Sequence, residues 1–112
     1  VPAYNIKKQF HPKSEGWLGY LISINGAVIY HAGDTDLIPE MEKLTGFAKK
    51  GSRFVALLPV DGKFAMGVDE AVKAALILKP SIVFPIHFKI EKDAENFCKL
   101  CNEQGIDAMI LK

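Results

Sequence analysis

Apolar positions along the chain change period several times, and each change marks an element. Residues 17 to 24, reading WLGYLISI, are rich in aromatic and β-branched side chains, and residues 27 to 31 resume that character after Asn25-Gly26, a favoured two-residue hairpin turn. A β-hairpin is expected. Beyond the break Ala32-Gly33-Asp34-Thr35-Asp36, the residues Leu37, Met41 and Leu44 recur at helical spacing, with Asp36 placed to cap the first turn and Gly46 to end the last. Phe54 to Leu58 is a continuous apolar run stopped by Pro59, the pattern of a strand buried on both faces of a mostly parallel sheet. Val68, Ala71, Val72 and Ala75 predict a second helix from about Asp69, which Pro80 stops. Ser81 to Ile86 reads as the next buried strand. Ala94, Phe97, Cys98 and Cys101 mark the inward face of a third helix closed by Gly105, and Asp107 to Leu111 supplies a last strand.

The order is hairpin, helix, strand, helix, strand, helix, strand. Short connections then imply an α/β layer with right-handed parallel crossovers once the hairpin is passed. Its 112 residues, 49% of them apolar, suit one domain over residues 1–112. A formal net charge of +1 lacks the basic excess of a phosphate-tracking protein, so nucleic acid is not an expected partner. Apolar runs fall far short of the ~20 residues that a membrane-spanning helix needs. Two cysteines make no disulfide framework, which points to a reducing compartment, the cytoplasm. The opening Val1-Pro2-Ala3-Tyr4-Asn5 has neither an initiator Met nor a targeting pattern, and reads as the start of a processed chain or of a segment of something longer.

In open α/β sheets ligands gather beyond the carboxyl ends of the strands. Three such positions carry polar groups: Asp34 and its neighbours after the strand ending at His31, Asp61 after Leu58, and His87 after Ile86. Neighbouring strands would bring them to one rim. Asp34 follows a glycine that permits a sharp turn and precedes a threonine able to orient a carboxylate, an arrangement suited to a cation. The plainer reading is that Asp34 or Asp36 caps the following helix. His87 emerges at a strand terminus, where a hydrogen-bonded structural role competes with a ligand role. Together, carboxylate and imidazole suit Zn, Mn or Fe. His11 and His31 lack ligand spacing to another candidate and read as structural or solvated, while Asp61 reads as a turn residue. A single CxxC at Cys98 and Cys101 cannot complete a four-ligand site, so both thiols read as core. The pairs Lys7-Lys8 and Lys49-Lys50 read as solvated surface.

Several separated motifs in order resemble the metallo-β-lactamase superfamily, in particular its small metal-dependent hydrolases. They are Val1-Pro2-Ala3-Tyr4-Asn5, Phe10-His11-Pro12-Lys13 with Gly16-Trp17-Leu18-Gly19-Tyr20, Tyr30-His31-Ala32-Gly33-Asp34-Thr35-Asp36, Leu58-Pro59-Val60 with Met66-Gly67, and Pro85-Ile86-His87-Phe88. The resemblance implies half of an αββα sandwich in which an aspartate like Asp34 bridges two divalent metal ions, zinc first with Mn or Fe as alternatives, and a histidine like His87 binds one of them. A hydroxide held by the metals would attack a small-molecule substrate, with Asp34 as the catalytic carboxylate. The HxHxDH motif that supplies most ligands in the family is absent, so the chain looks like a C-terminal half, and by itself should hold metal weakly or not at all.

A half-sandwich leaves an apolar face wet, which predicts either an N-terminal half as partner or a homodimer. The expected function is therefore the C-terminal part of a metal-dependent hydrolase, inactive alone. The alternative is a catalytically silent α/β interaction module that oligomerises through that face. A receiver-like phosphoacceptor fits poorly, because Glu15 is the only carboxylate before Gly33.

Overall fold

A computed structural model describes residues 1, 19–33, 35–44, 53–62, 65–88 and 90–111. Strands β1 (Tyr20–Ile24) and β2 (Ala27–His31) form the hairpin, followed by a 3-10 helix (Pro39–Leu44), β3 (Arg53–Pro59), α1 (Val68–Leu78), β4 (Ile82–Ile86) and α2 (Glu91–Glu103). The four strands lie in sequence order in one sheet, with β1 antiparallel to β2 and β2, β3 and β4 parallel. The mixed α/β architecture is thus the one expected. Asn25 and Gly26 both take positive φ, 46° and 80°, as a tight hairpin turn of matching twist requires. Trp17, Leu18 and the two lysine pairs lie outside the described residues.

Register sorts the strand residues into two faces, because directly paired residues share a side. Tyr30, Ala56 and Val83 are aligned across β2, β3 and β4, and with Phe54, Leu58 and Pro85 they form a buried face. Against it pack Ala71, Ala74, Ala75 and Leu78 of α1, Phe97 and Cys101 of α2, and Met41 and Leu44 of the 3-10 helix. The alternate residues Ile29, Val55 and Ile82, then His31, Leu57 and Phe84, make the opposite face. All six are only half-buried. On β1, Tyr20, Ile22 and Ile24 continue that face and are 58%, 44% and 53% exposed. The expectation that β3 is buried on both faces is therefore corrected: the described helices cover one side of the sheet only.

Two further details differ from the sequence reading. Leu37, Met41 and Leu44 do not share a regular α-helix; the segment is a 3-10 helix that opens at Pro39, so its first bond runs from the Met41 N–H to the Ile38 carbonyl and Asp36 lies before the cap position. The stretch Asp107 to Leu111 forms a single bridge, Ala108 to Val83, instead of a strand. Its other backbone groups at Ala108 are taken by the Asn102 side chain, whose amide donates to the Ala108 carbonyl and whose oxygen accepts from the Ala108 N–H, at 3.4 and 3.2 Å. Pro85 sits inside β4, within the expected strand Ser81 to Ile86; this is tolerated because β4 is the outermost of the described strands. No described helix is long and apolar enough to cross a membrane.

Candidate metal centre at the carboxyl rim

Because β2, β3 and β4 are parallel neighbours, their carboxyl ends share one edge, and the loops that follow them meet there. The ladder continues a little past the strands: the Ala32 N–H donates to the Leu57 carbonyl and the Val60 N–H to the Ile86 carbonyl, both at 3.1 Å. His31 closes β2 and His87 follows β4 directly, so both imidazoles stand at this rim with the end of β3 between them. Their ring centroids are 6.4 Å apart and the planes are nearly perpendicular, at 89°. His87 holds a left-handed backbone, φ 52°, which costs a non-glycine residue about 1–2 kcal/mol. Strain of that kind is retained mainly where a side chain must be aimed.

Asp34 itself lies outside the described residues, but both of its neighbours are tied down. The Gly33 N–H donates to Nδ1 of His31 at 3.2 Å, and Gly33 takes the positive φ, 72°, that its sharp turn was expected to need. On the other side Thr35 is fully buried; its carbonyl accepts from the Met66 N–H at 2.9 Å and its hydroxyl donates to the Asp36 carbonyl at 2.9 Å. Met66, from the β3–α1 connection, thus clamps the loop that carries Asp34.

His31 was missed by spacing arguments, since nothing in sequence links it to His87. The available signal was its place as the last residue of a strand in a parallel sheet. As an acceptor at Nδ1, neutral His31 carries its proton on Nε2, so it faces the rim as a hydrogen-bond donor and its Nδ1 is not open to a metal. Asp61 keeps the turn role, accepting from the Ala65 N–H at 3.0 Å. His11 lies outside the described residues. Both cysteines are free, Cys101 buried and Cys98 half-buried; burial raises the Cys98 thiol and pushes the Cys101 thiol up to about 12, as inert packed groups. Tyr30 is also raised, by burial first and then by the Glu40 charge, and its hydroxyl has no hydrogen-bond partner in the described structure.

In kind, an imidazole at one strand end and a carboxylate-bearing loop at another suit a divalent cation. In number they do not suffice, because among the described residues no three His, Cys, Asp or Glu groups gather.

The family model for the β-lactamase superfamily domain matches residues 1–87. The chain belongs to the metallo-β-lactamase superfamily. Within it, the chain is 40% identical over 116 aligned residues to a UPF0173 metal-dependent hydrolase of Pyrococcus furiosus, with all of this chain and 50% of that protein aligned. A UPF0173 metal-dependent hydrolase of Archaeoglobus fulgidus is 33% identical over 97 residues, 83% of this chain and 41% of that one. Among solved structures, a protein described as a metal-dependent hydrolase from Parabacteroides distasonis superposes with a TM-score of 0.83 at 34% identity, covering 98% of this chain and 48% of that chain. This superfamily member spans about half the length of the curated relatives it matches, and corresponds to their C-terminal half.

Proposed function

We propose that residues 1–112 are one half-domain of a metal-dependent hydrolase, with Asp34 and His87 as the ligands that this half contributes to a site for two divalent cations, zinc before manganese or iron. When bound, such cations lower the pKa of a coordinated water and polarise the bond to be cut. The chain's own residues hold and orient. His87 presents one imidazole from a strained, fixed backbone, and the clamped loop presents the Asp34 carboxylate between Gly33 and Thr35. Neutral His31, anchored by Gly33, offers its Nε2–H to a developing negative charge on a small-molecule substrate at the same rim. Its fixed tautomer makes that donation possible without movement.

The observation that carries this reading is the contrast within the sheet: helices seal one face, while the other is a half-exposed apolar surface whose rim bears His31, His87 and the Asp34 loop. A surface of this kind calls for a cover, and the N-terminal half of the fold is the cover that the length of the relatives suggests. A second copy of the chain would hide the same face but bring no HxHxDH motif. The chemistry-free module draws no support from relatives named as hydrolases. Two free thiols in the packed core favour the cytoplasm.

Calorimetric titration with zinc tests the reading on two proteins, the 112-residue chain and the same chain joined to the upstream half of the Pyrococcus furiosus relative. Weak or undetectable binding is expected for the first and tight binding for the second, with Asp34→Ala or His87→Ala weakening the latter by about 100-fold. Equal affinity in both proteins, or indifference to both substitutions, would contradict it.

A further inference from the structure

The connection from β3 to α1 leaves the carboxyl rim and returns to it. Its start is fixed by the Val60 N–H bond to the Ile86 carbonyl, one residue before His87. Its far end is fixed by the Met66 N–H bond to the Thr35 carbonyl at 2.9 Å, one residue after Asp34. Between these points the connection is bonded to itself twice. The Gly62 N–H donates to the Met66 carbonyl at 3.0 Å, and Oδ1 of Asp61 accepts from the Ala65 N–H at 3.0 Å. Gly62 takes a positive φ of 74°, and a Cβ built on it would lie 3.6 Å from the Gly67 Cα, so the two ends of the bend are in contact. Ala65 and Met66 are fully buried, and Asp61 is half-buried.

A short polar side chain bonded to a nearby backbone amide fixes a bend that the backbone alone leaves free to open. Asp61 does this at Ala65, whose neighbour Met66 has its carbonyl on Gly62 and its N–H on Thr35. A buried N–H that loses its acceptor must move toward water or another partner, and a movement at Ala65 carries the Met66 N–H with it. We propose that Asp61 is a positioning residue: its carboxylate oxygen fixes the segment Ala65-Met66, which fixes Thr35, and so sets where the Asp34 loop stands relative to His87. Asp61 acts here as a hydrogen-bond acceptor of the right reach, and its charge is not needed. The same bend then holds the residue before one ligand and the residue after the other. The anchoring of Thr35 is a property of this chain alone, whereas its effect on metal rests on reading Asp34 as a ligand. Ser81 provides a matched comparison, because its Oγ accepts from the Phe54 N–H at 3.0 Å at the amino ends of β3 and β4, the opposite edge of the sheet.

Amide hydrogen exchange followed by NMR tests the anchoring in the 112-residue chain. Asp61→Ala should speed exchange at Ala65 and Met66 by about tenfold or more, and leave the Val83 amide, bonded to the Asp107 carbonyl, unchanged. Asp61→Asn, whose side-chain oxygen accepts the same bond, should keep the original protection. The consequence for the ligands is read in the chain joined to the upstream half of the Pyrococcus furiosus relative and loaded with cobalt, whose visible absorption reports ligand geometry. Asp61→Ala should shift that spectrum and weaken zinc binding by about tenfold or more, while Asp61→Asn and Ser81→Ala leave both as they were. Unchanged exchange at Met66 in Asp61→Ala, or Asp61→Asn behaving like Asp61→Ala, would overturn the proposal. An unaltered cobalt spectrum despite faster exchange, or an equal shift in Ser81→Ala, would overturn it as well. A joined protein that binds no metal while Asp61 still governs exchange at Met66 would remove the metal reading and leave the anchoring of Thr35 standing.

Discussion

The two faces of the sheet are made by the same strands, yet they live in different surroundings. Phe54, Ala56 and Leu58 of β3 are fully buried beneath helices, whereas Val55 and Leu57, one residue along, are only half-buried despite being just as apolar. Strand chemistry alone therefore does not report what lies on each side. An apolar run such as residues 54 to 58 says that both faces are meant to be dry, and the described structure dries one of them. At the rim, His31 projects from this second, half-exposed face, and His87 follows the strand that ends at Ile86.

The sharpest way to break this contrast is to cut side chains from each face in the 112-residue chain. Phe54→Ala should cost about 3–5 kcal/mol in urea unfolding, because its side chain is enclosed, while Val55→Ala should cost about 1 kcal/mol or less. Equal losses would mean that the outer face is as tightly packed as the inner one. A smaller effect is expected at the rim. His87→Gly should leave the chain about 1 kcal/mol more stable than His87→Ala, since glycine occupies a φ of 52° without strain, although both lose the imidazole. Equal stabilities would remove the argument that the backbone at His87 is held under strain.

A further effect, visible only in alkali, belongs to the helix-covered side. The Cys101 thiol, with an ordinary value of 9.0, is pushed up to about 12 by burial and then by Cys98. Between those values the unfolded chain has released a proton that the folded chain keeps, so stability is full below pH 9 and falls as pH rises toward 12. Cys101→Ala should flatten that decline in denaturation curves, and an unaltered slope would contradict burial as its origin.

Much of this architecture was legible in the chain because it is locally encoded. Asn25-Gly26 specifies its hairpin through backbone conformation, and Ala94, Phe97 and Cys101 specify the inward stripe of α2 through period alone. The 3-10 helix escaped because Pro39 and a short run favour the tighter turn, which spacing of Leu37, Met41 and Leu44 does not distinguish from an α-helix. The last strand escaped because its ladder, carried by the Val83 N–H to Asp107 and the Met109 N–H to Val83, would next need an N–H at Pro85, which proline lacks. At the rim, the position of His87 directly beyond β4 was legible from its place after an apolar run. The approach of His31 to His87 was not, because it depends on which strands are neighbours, and that is set by long-range pairing across β3.

Anomalous scattering at the zinc edge, on crystals of the chain joined to the upstream half and grown with zinc, reaches the central claim most directly. The account predicts zinc peaks at the carboxyl rim, within coordination distance of His87 and Asp34, about 2.0–2.2 Å. Zinc located elsewhere, or Asp34 and His87 turned away from each other with the open sheet face still bare, would contradict it.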